Sequence, residues 1–553
     1  MRAINDRKTA NDKAEVRIMR KKALIVCSIM FAFFAAVAVR IISLNYGDYT
    51  AVSVTNSYKT IDIARIRGTV FDCNLKPFTN CSPVYTAAAK PTASALQQLK
   101  TLLDSDMYST VYGRMQKGNP VTVDIPSMIE ESDCVRIIEH YSPRSENLLA
   151  QHVIGYSDSA GNGVSGIEKA FNTLLESPCR NISVRFSVDA TGKIMLGKEI
   201  QVYNNKFVQR NGIVLTLDKD IQKIAENAAD ALLIDKGAVV ITEIENCAIR
   251  ACVSRPLYDP DRLDESINSP DSPFINRAFS PYSVGSAFKP VVAAAALEQG
   301  HTLTATSNCT GASTVNGVTF HCHEENGHGY INLNQAITFS CNTYFIDLAL
   351  RCEKSKLIET AEGFGFGRSN VFAPGLFSSG GNLPSAQELD SKAAVANLSF
   401  GQGSLLATPV QLAAAMACFA NGGIYKEPYL IEGTMTDDIG FTPYDNKTNY
   451  ERVISKKTAD TICACLENVI INGTGKRARS DLVTCAGKTA TAQTGKSDSD
   501  GEIYNSWFVG YFPADNPQYA MAILKEDGGE GAVSCAPVFK KICEDMYNSG
   551  YIK

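Results

Sequence analysis

The sequence predicts an α/β protein standing behind one membrane-spanning helix, and three observations carry that prediction. A basic N-terminal stretch runs directly into an uncharged apolar segment. Strand-like runs near residues 214 and 237 recur near the C-terminus, and a long helical stretch lies between the two sets. At 553 residues the chain exceeds one ordinary domain, so several units are expected. Hydrophobic residues at 45% and charged residues at 20% match globular usage and exclude disordered, collagen-like, coiled-coil and polytopic membrane classes. A formal net charge of -5 lacks the basic footprint of phosphate-backbone binding, so no nucleic-acid partner is expected.

The elements follow in order. Eight Lys or Arg stand against three Asp or Glu in the first 22 residues, and Ala23–Val39 is uncharged, followed by Arg40 and Ile41–Leu44. Residues 1–22 are therefore expected as a cytoplasmic tail, 23–44 as the span and everything from about 45 as extracytoplasmic. A cleaved signal peptide would need a small-residue cleavage site, which does not follow the run. Residues 45–205 read as short strands, turns and two or three helical stretches without a cluster of catalytic residue types. Two segments stand out there, Arg67–Asp72 and Gly161–Glu168, each weak evidence alone, and for Arg67, Asp72 and Glu168 an ordinary surface charge is an equally open reading. From 206 to 553 an α/β unit is expected: alternation at VLTLD, a helix over Asp218–Asp235, the strand GAVVITEI, a helix over 409–421 and strands at LVTCAGKTATAQ, YNSWFVGYFP and YAMAILKED. The 17 cysteines, an odd number, lie mostly in apolar contexts such as Cys352, Cys418, Cys463, Cys465 and Cys543, and are read as small buried hydrophobes.

Three segments carry chemistry. Ser286 lies at the N-terminus of an Ala-rich helix, where the dipole favours developing negative charge, and Lys289 follows one turn later on the same face. A desolvated lysine there loses its proton more readily and becomes a base. A capping serine beside a solvated lysine has the same spacing. Ser340-Cys341-Asn342 offers a second hydroxyl and a carboxamide, and Lys488-Thr489-Ala490-Thr491 lies in a strand-like run against which an extended peptide backbone fits. A further stretch, Cys309 to His328, gathers Cys309, His321, Cys322, His323 and His328. A metal cluster of Cys309, Cys322, His323 and His328 is one reading. A disulfide, or two thiols under a loop roofing a cleft, is the blander one, because the Cys pair has no C-x-x-C spacing. Neither a metal nor a cofactor is expected.

The order Ser-x-x-Lys, Ser-x-Asn, Lys-Thr-x resembles class B penicillin-binding proteins, membrane-anchored D,D-transpeptidases that cross-link peptidoglycan, and the likeness runs from about residue 20 to the C-terminus. RGTVFD, GVSGIEKAFN, LTLDKDIQKIAE, SFGQGSLLATPVQLAAAMACFANGG and NSWFVGYFP are similar to that family too. The resemblance implies a penicillin-binding/serine β-lactamase-like transpeptidase domain, an antiparallel sheet with helices, over 206–553, preceded by a mainly β pedestal of the dimerisation type over 45–205. It makes Ser286 the nucleophile and Lys289 its base, with Ser340 relaying protons and Asn342 holding the substrate amide. Lys488 and Thr489 would bind the terminal carboxylate, and the backbone N–H groups of Ser286 and Thr491 would form the oxyanion hole. Implied partners are peptidoglycan stem peptides, β-lactams, the cell membrane and a membrane glycosyltransferase of wall synthesis. The motifs serve division, elongation and sporulation enzymes alike. Alternatives are a D,D-carboxypeptidase or β-lactamase on the same fold, or a weakly active β-lactam-binding scaffold or sensor. The last draws on Ala490, which stands where the family usually has glycine. A methyl pointing into the groove is expected to slow acylation, so that Ala490→Gly would speed labelling by a β-lactam.

Overall fold

The computed structural model describes residues 2–46, 58–65, 67–142, 146–158, 161–176, 181–189, 191–203, 211–259, 262–436, 439–445, 450–498 and 501–552. The boundary expected between 205 and 206 lies outside the described residues, as do the side chains of the first 14 residues. The N-terminal helix α1 spans Arg2–Tyr46, and its Glu15–Ser43 portion is long and apolar enough to cross a membrane.

Two compact units make up the chain. The first comprises residues 1–64, 84–140 and 181–205. Two three-stranded sheets form there, one from Tyr58–Arg65, Asn181–Ser187 and Gln201–Tyr203, the other with Pro83–Ala89 between Val121–Ile125 and Val135–Tyr141. Helices Ala93–Leu99 and Ser105–Gln116 start at Thr92 and Asp104, whose side chains accept from the otherwise unpaired first-turn N–H groups. Leu99, Val111 and Met115 on these helices bury against Ala87, Ala89, Val121 and Val135 of the second sheet.

The second unit comprises residues 65–83, 141–180 and 206–553. Its elements used below are α2 (Lys219–Ala231), β1 (Gly237–Glu243), β2 (Ile249–Arg255), α3 (Lys289–Glu298), α4 (Leu333–Thr338), α5 (Asn342–Arg351), α6 (Pro409–Ala420), β3 (Ala486–Asp498), β4 (Gly501–Phe512), β5 (Tyr519–Lys525) and α7 (Ala536–Asn548). The five strands form one antiparallel sheet in the order β2-β1-β5-β4-β3, so the strands flanking the helical middle in sequence are neighbours in space. Successive side chains of a strand point to opposite faces, and β4 uses both. Phe508 and Phe512 pack with α2 and α7, whereas Trp507, Val509 and Tyr511 join the larger core that includes α3 and α6. The order leaves β3 on an edge of the sheet, with its other side open for the site described below.

Arg67 and Glu168 are not surface charges. Both are buried, Arg67 Nε lies 2.7 Å from Glu168 Oε2, and the guanidinium also donates to the carbonyls of Gly161 and Glu168 and to Asn172 Oδ1. The two segments singled out in the sequence are thus halves of one ion pair. Spreading the guanidinium over four acceptors is what makes its burial tolerable. Asp72 is buried as well, accepting from the backbone N–H groups of Asn74, Lys76 and Lys219, and burial raises its pKa. Among the described residues the cysteines are free thiols. Cys352, Cys418, Cys465 and Cys543 are buried as expected, and Cys463 is half-buried.

Candidate active site

Ser286 sits in a single 3-10 turn, Gly285–Phe288, that feeds α3, and Pro290 takes a first-turn position that needs no N–H. The turn is held from three sides. Tyr282 exchanges backbone hydrogen bonds with Ala407, Trp507 Nε1 donates to the Ser283 carbonyl at 3.0 Å, and Gly285 N–H donates to Gly401 O at 2.9 Å. Gly285 has φ +53°, and a Cβ there would lie 3.1 Å from Ala492 Cβ; one on Gly401 would lie 1.9 Å from Gly285 O. Glycine at both positions lets the Ser286 turn press against β3 on one side and against the 399–403 segment on the other.

Lys289 is fully buried, and Nζ reaches Ser340 O at 2.6 Å, Asn342 Oδ1 at 2.8 Å and Ser340 Oγ at 3.2 Å. Three acceptors satisfy the three donors of an ammonium. Burial nevertheless lowers its pKa from 10.5 to about 8, since desolvation penalises the charged form. Lys488 is also fully buried, donates to Thr489 O at 2.9 Å and is pushed well below the ordinary lysine range by burial and then by the positive charge of Lys289. Ser340 adopts φ +57°, a left-handed conformation that costs a non-glycine residue about 1–2 kcal/mol. Its N–H to Ile337 O, the following N–H from Cys341 to Ala336 O, and the Lys289 bond to its carbonyl hold it there.

Ser286, Ser340, Asn342, Thr489, Ala490 and Thr491 all line one cleft of about 730 Å³, with Lys289 and Lys488 buried beside it. Every site residue named from the sequence is therefore near the same opening. Ala490 is the exception in detail: it is 3% exposed, pairs with Trp507 across the sheet, and its side chain belongs to the main core with Ala492 and Trp507. Thr474, which no motif marks beyond the turn Gly473-Thr474-Gly475, also lines the cleft and shares a 2.6 Å hydrogen bond with the Thr489 hydroxyl. Among the metal-type donors the structure corrects the sequence grouping. Cys309, Cys322 and His328 converge on Cys341, the central residue of the Ser-x-Asn motif, and His323 is not the fourth member. Sequence reasoning missed Cys341 because it lies outside the Cys309–His328 stretch.

A hydroxyl at a helix start, a buried amine of lowered pKa tied to a second hydroxyl, and an unpaired strand edge suit acyl transfer from an extended peptide. Residues 237–544 match the model of the penicillin binding protein transpeptidase domain. The chain is 27% identical over 609 residues to the peptidoglycan D,D-transpeptidase MrdA of Acinetobacter baumannii, covering 95% of this chain and 88% of that protein. It is 28% identical over 449 residues to the stage V sporulation protein D of Bacillus subtilis, covering 76% and 65% respectively. Among solved structures, the D,D-transpeptidase domain of a peptidoglycan glycosyltransferase from Eggerthella lenta superposes with a TM-score of 0.63 at 26% identity, over 88% of this chain and 100% of that one. With the family model covering more than half its length and the three motif segments folded around one cleft, the chain belongs to the penicillin-binding protein transpeptidases, and within them to class B.

Proposed function

We propose that the protein is a serine-type peptidoglycan D,D-transpeptidase, held in the cell membrane by α1 and covalently inhibited by β-lactams. The observation that carries this reading is the buried Lys289 ammonium, bonded to both Ser340 and Asn342 next to the Ser286 turn. In the proposed reaction Ser286 Oγ attacks the carbonyl of the penultimate D-Ala while Lys289, as the free amine, takes its proton. The tetrahedral oxyanion is held by the N–H groups of Ser286 and Thr491, a donor of this kind being worth about 3–4 kcal/mol. Ser340 passes a proton to the departing D-Ala nitrogen, while Lys488 and Thr489 bind the terminal carboxylate. An amine of a neighbouring stem peptide then attacks the ester, releasing Ser286 and completing the cross-link.

In this reading residues 1–22 are a cytoplasmic tail, 23–44 the anchor, 45–205 the pedestal and 206–553 the transpeptidase domain. The lysine and arginine excess ahead of the apolar run supports the orientation. A membrane glycosyltransferase of wall synthesis is the proposed partner, supported by the family resemblance. Fluorescent penicillin labelling of the full-length protein in detergent tests the activity. A stable adduct lost in Ser286→Ala is expected; rapid turnover of the adduct would make the protein a hydrolase, and no adduct would make it a binding scaffold.

A further inference from the structure

The donors Cys309 Sγ, Cys322 Sγ, His328 Nδ1 and Cys341 Sγ all lie within 4.8 Å of one another. Cys309 Sγ is 3.5 Å and Cys322 Sγ 3.6 Å from His328 Nδ1, and Cys322 Sγ is 3.9 Å from Cys341 Sγ. A tetrahedral zinc with Zn–S of about 2.3 Å and Zn–N of about 2.0–2.1 Å has S···N edges of about 3.5 Å and S···S edges of about 3.8 Å. The three separations in the structure fall on those values. The 3.9 Å between the Cys322 and Cys341 sulfurs is too long for a disulfide, whose sulfurs are about 2.05 Å apart, and Cys309 is a free thiol as well. The three sulfurs are buried, and His328 turns Nδ1 toward them while its ring stacks on Phe339 with centroids 6.1 Å apart.

The local architecture has little else to hold it. Cys309 ends the strand Thr306–Cys309, Cys322 follows the hairpin of Ala312–Val315 with Val318–His321, and His328 precedes the strand Gly329–Asn332. These are two small two-stranded pieces, and an isolated hairpin is marginal in water. They bring few apolar residues to the core beyond Val315, Phe320 and Ile331. Cys341 lies on the other side of the cluster, between α4 and α5. It is preceded by the left-handed Ser340 and followed by Asn342, whose Nδ2 donates to His321 O at 3.0 Å. Both sides of the cluster therefore touch the groups that hold Lys289.

We propose that Cys309, Cys322, His328 and Cys341 bind one tetrahedral, thiophilic divalent cation of the zinc class, and that this ion positions Ser340 and Asn342 for the acyl transfer proposed above. Three sulfurs and one imidazole fill a tetrahedron and leave no open position, so the ion is structural and takes no part in the bond-making steps. Cys341 is a positioning residue, acting through its two neighbours.

The positioning half rests on the proposed acyl-enzyme, so metal content and acylation are read separately. Full-length protein, purified in detergent without chelator, is expected to carry about one zinc per chain by elemental analysis. Cys309→Ser and Cys341→Ser should each lower that content, while His328→Cys, which keeps a donor, should retain it. Cobalt(II) exchanged into the site should give the intense thiolate-to-metal charge-transfer band of a tetrahedral thiolate centre. Stripping with a chelator should slow the first-order acylation step by a β-lactam about tenfold or more, leave the initial non-covalent affinity unchanged, and be reversed by zinc. A folded wild-type protein with no bound metal overturns the proposal. A metal whose removal leaves acylation unchanged overturns the positioning role. A zinc-loaded wild type that no β-lactam labels refutes the acyl-enzyme reading and the positioning role with it, while the metal content still decides the site.

Discussion

Ala490→Gly separates a methyl that obstructs the cleft from one that packs the core. From sequence, the methyl at a position usually held by glycine is expected to crowd the substrate, so its removal should speed labelling. Its burial reverses the expectation: Ala490 is 3% exposed and packs with Ala492 and Trp507, on the face of β3 that meets the Ser286 turn. Removing one buried methyl costs about 0.8 kcal/mol of transfer free energy, and glycine in a strand interior adds about 0.5–1 kcal/mol of backbone entropy. The variant should therefore lose about 1.5 kcal/mol of stability. For a unit of about 400 residues, at about 2.1 cal/mol/K of unfolding entropy per residue, that is a fall in Tm of about 2 °C. The first-order acylation rate with a fluorescent penicillin should stay within about twofold of wild type or drop, because the methyl packs in the core rather than in the path of the substrate. Thermal denaturation and stopped-flow labelling on the same preparation decide it. A labelling rate several-fold above wild type, at equal or higher Tm, would refute the packing argument and return the methyl to the cleft.

Three further outcomes follow from the same geometry. If Lys289 is the base, acylation should rise about tenfold per pH unit below its pKa of about 8 and level off above it. At pH 7 a pKa of about 8 leaves about one amine in ten free, against about one in three thousand at the ordinary 10.5; a rate independent of pH between 6 and 9 would remove Lys289 from that role. Arg67→Met strands the buried Glu168 carboxylate and should cost about 3–5 kcal/mol. Burial already raises the Glu168 pKa, so the variant should recover stability as pH falls and the carboxyl protonates, and Glu168→Gln should rescue it at neutral pH. Additive losses in the double mutant, measured by thermal melts, would show that the pair does not interact. Thr474→Val should remove the 2.6 Å bond that orients the Thr489 hydroxyl and weaken the initial binding of a carboxylate-bearing β-lactam more than the acylation step; the reverse pattern would assign Thr474 to the chemistry.

Much of this was legible in the sequence because the governing physics is local. The Ser286 turn reads out from glycine, an Ala-rich run and Pro290 in a first turn, and the enclosing strands read out from short apolar runs rich in β-branched and aromatic residues. What the sequence could not supply was partnership across long separations. Arg67 and Glu168 lie 101 residues apart, and each alone looks like an ordinary surface charge; only the fold that buries both makes them a pair. The direction of the Ala490 methyl depends on the pleat of β3 relative to Trp507, which a strand prediction does not fix.

Cys341 is the sharpest case, because the residue between Ser340 and Asn342, the two side chains proposed to serve the reaction, was read only as motif spacing. In space it closes a four-donor cluster whose other members end the short strands of a neighbouring loop. A middle position in Ser-x-Asn that makes no contact with substrate would be free to vary under the acyl-transfer chemistry alone. Here it is fully buried, its sulfur 3.9 Å from Cys322 and its backbone locked to Ala336 beside a left-handed serine. A serine at 341 would keep the local chain conformation and still lose one corner of the tetrahedron. Slower acylation in Cys341→Ser, at a Tm close to wild type, would therefore mark the thiol as a device for aiming Ser340 and Asn342 rather than as filler for the core.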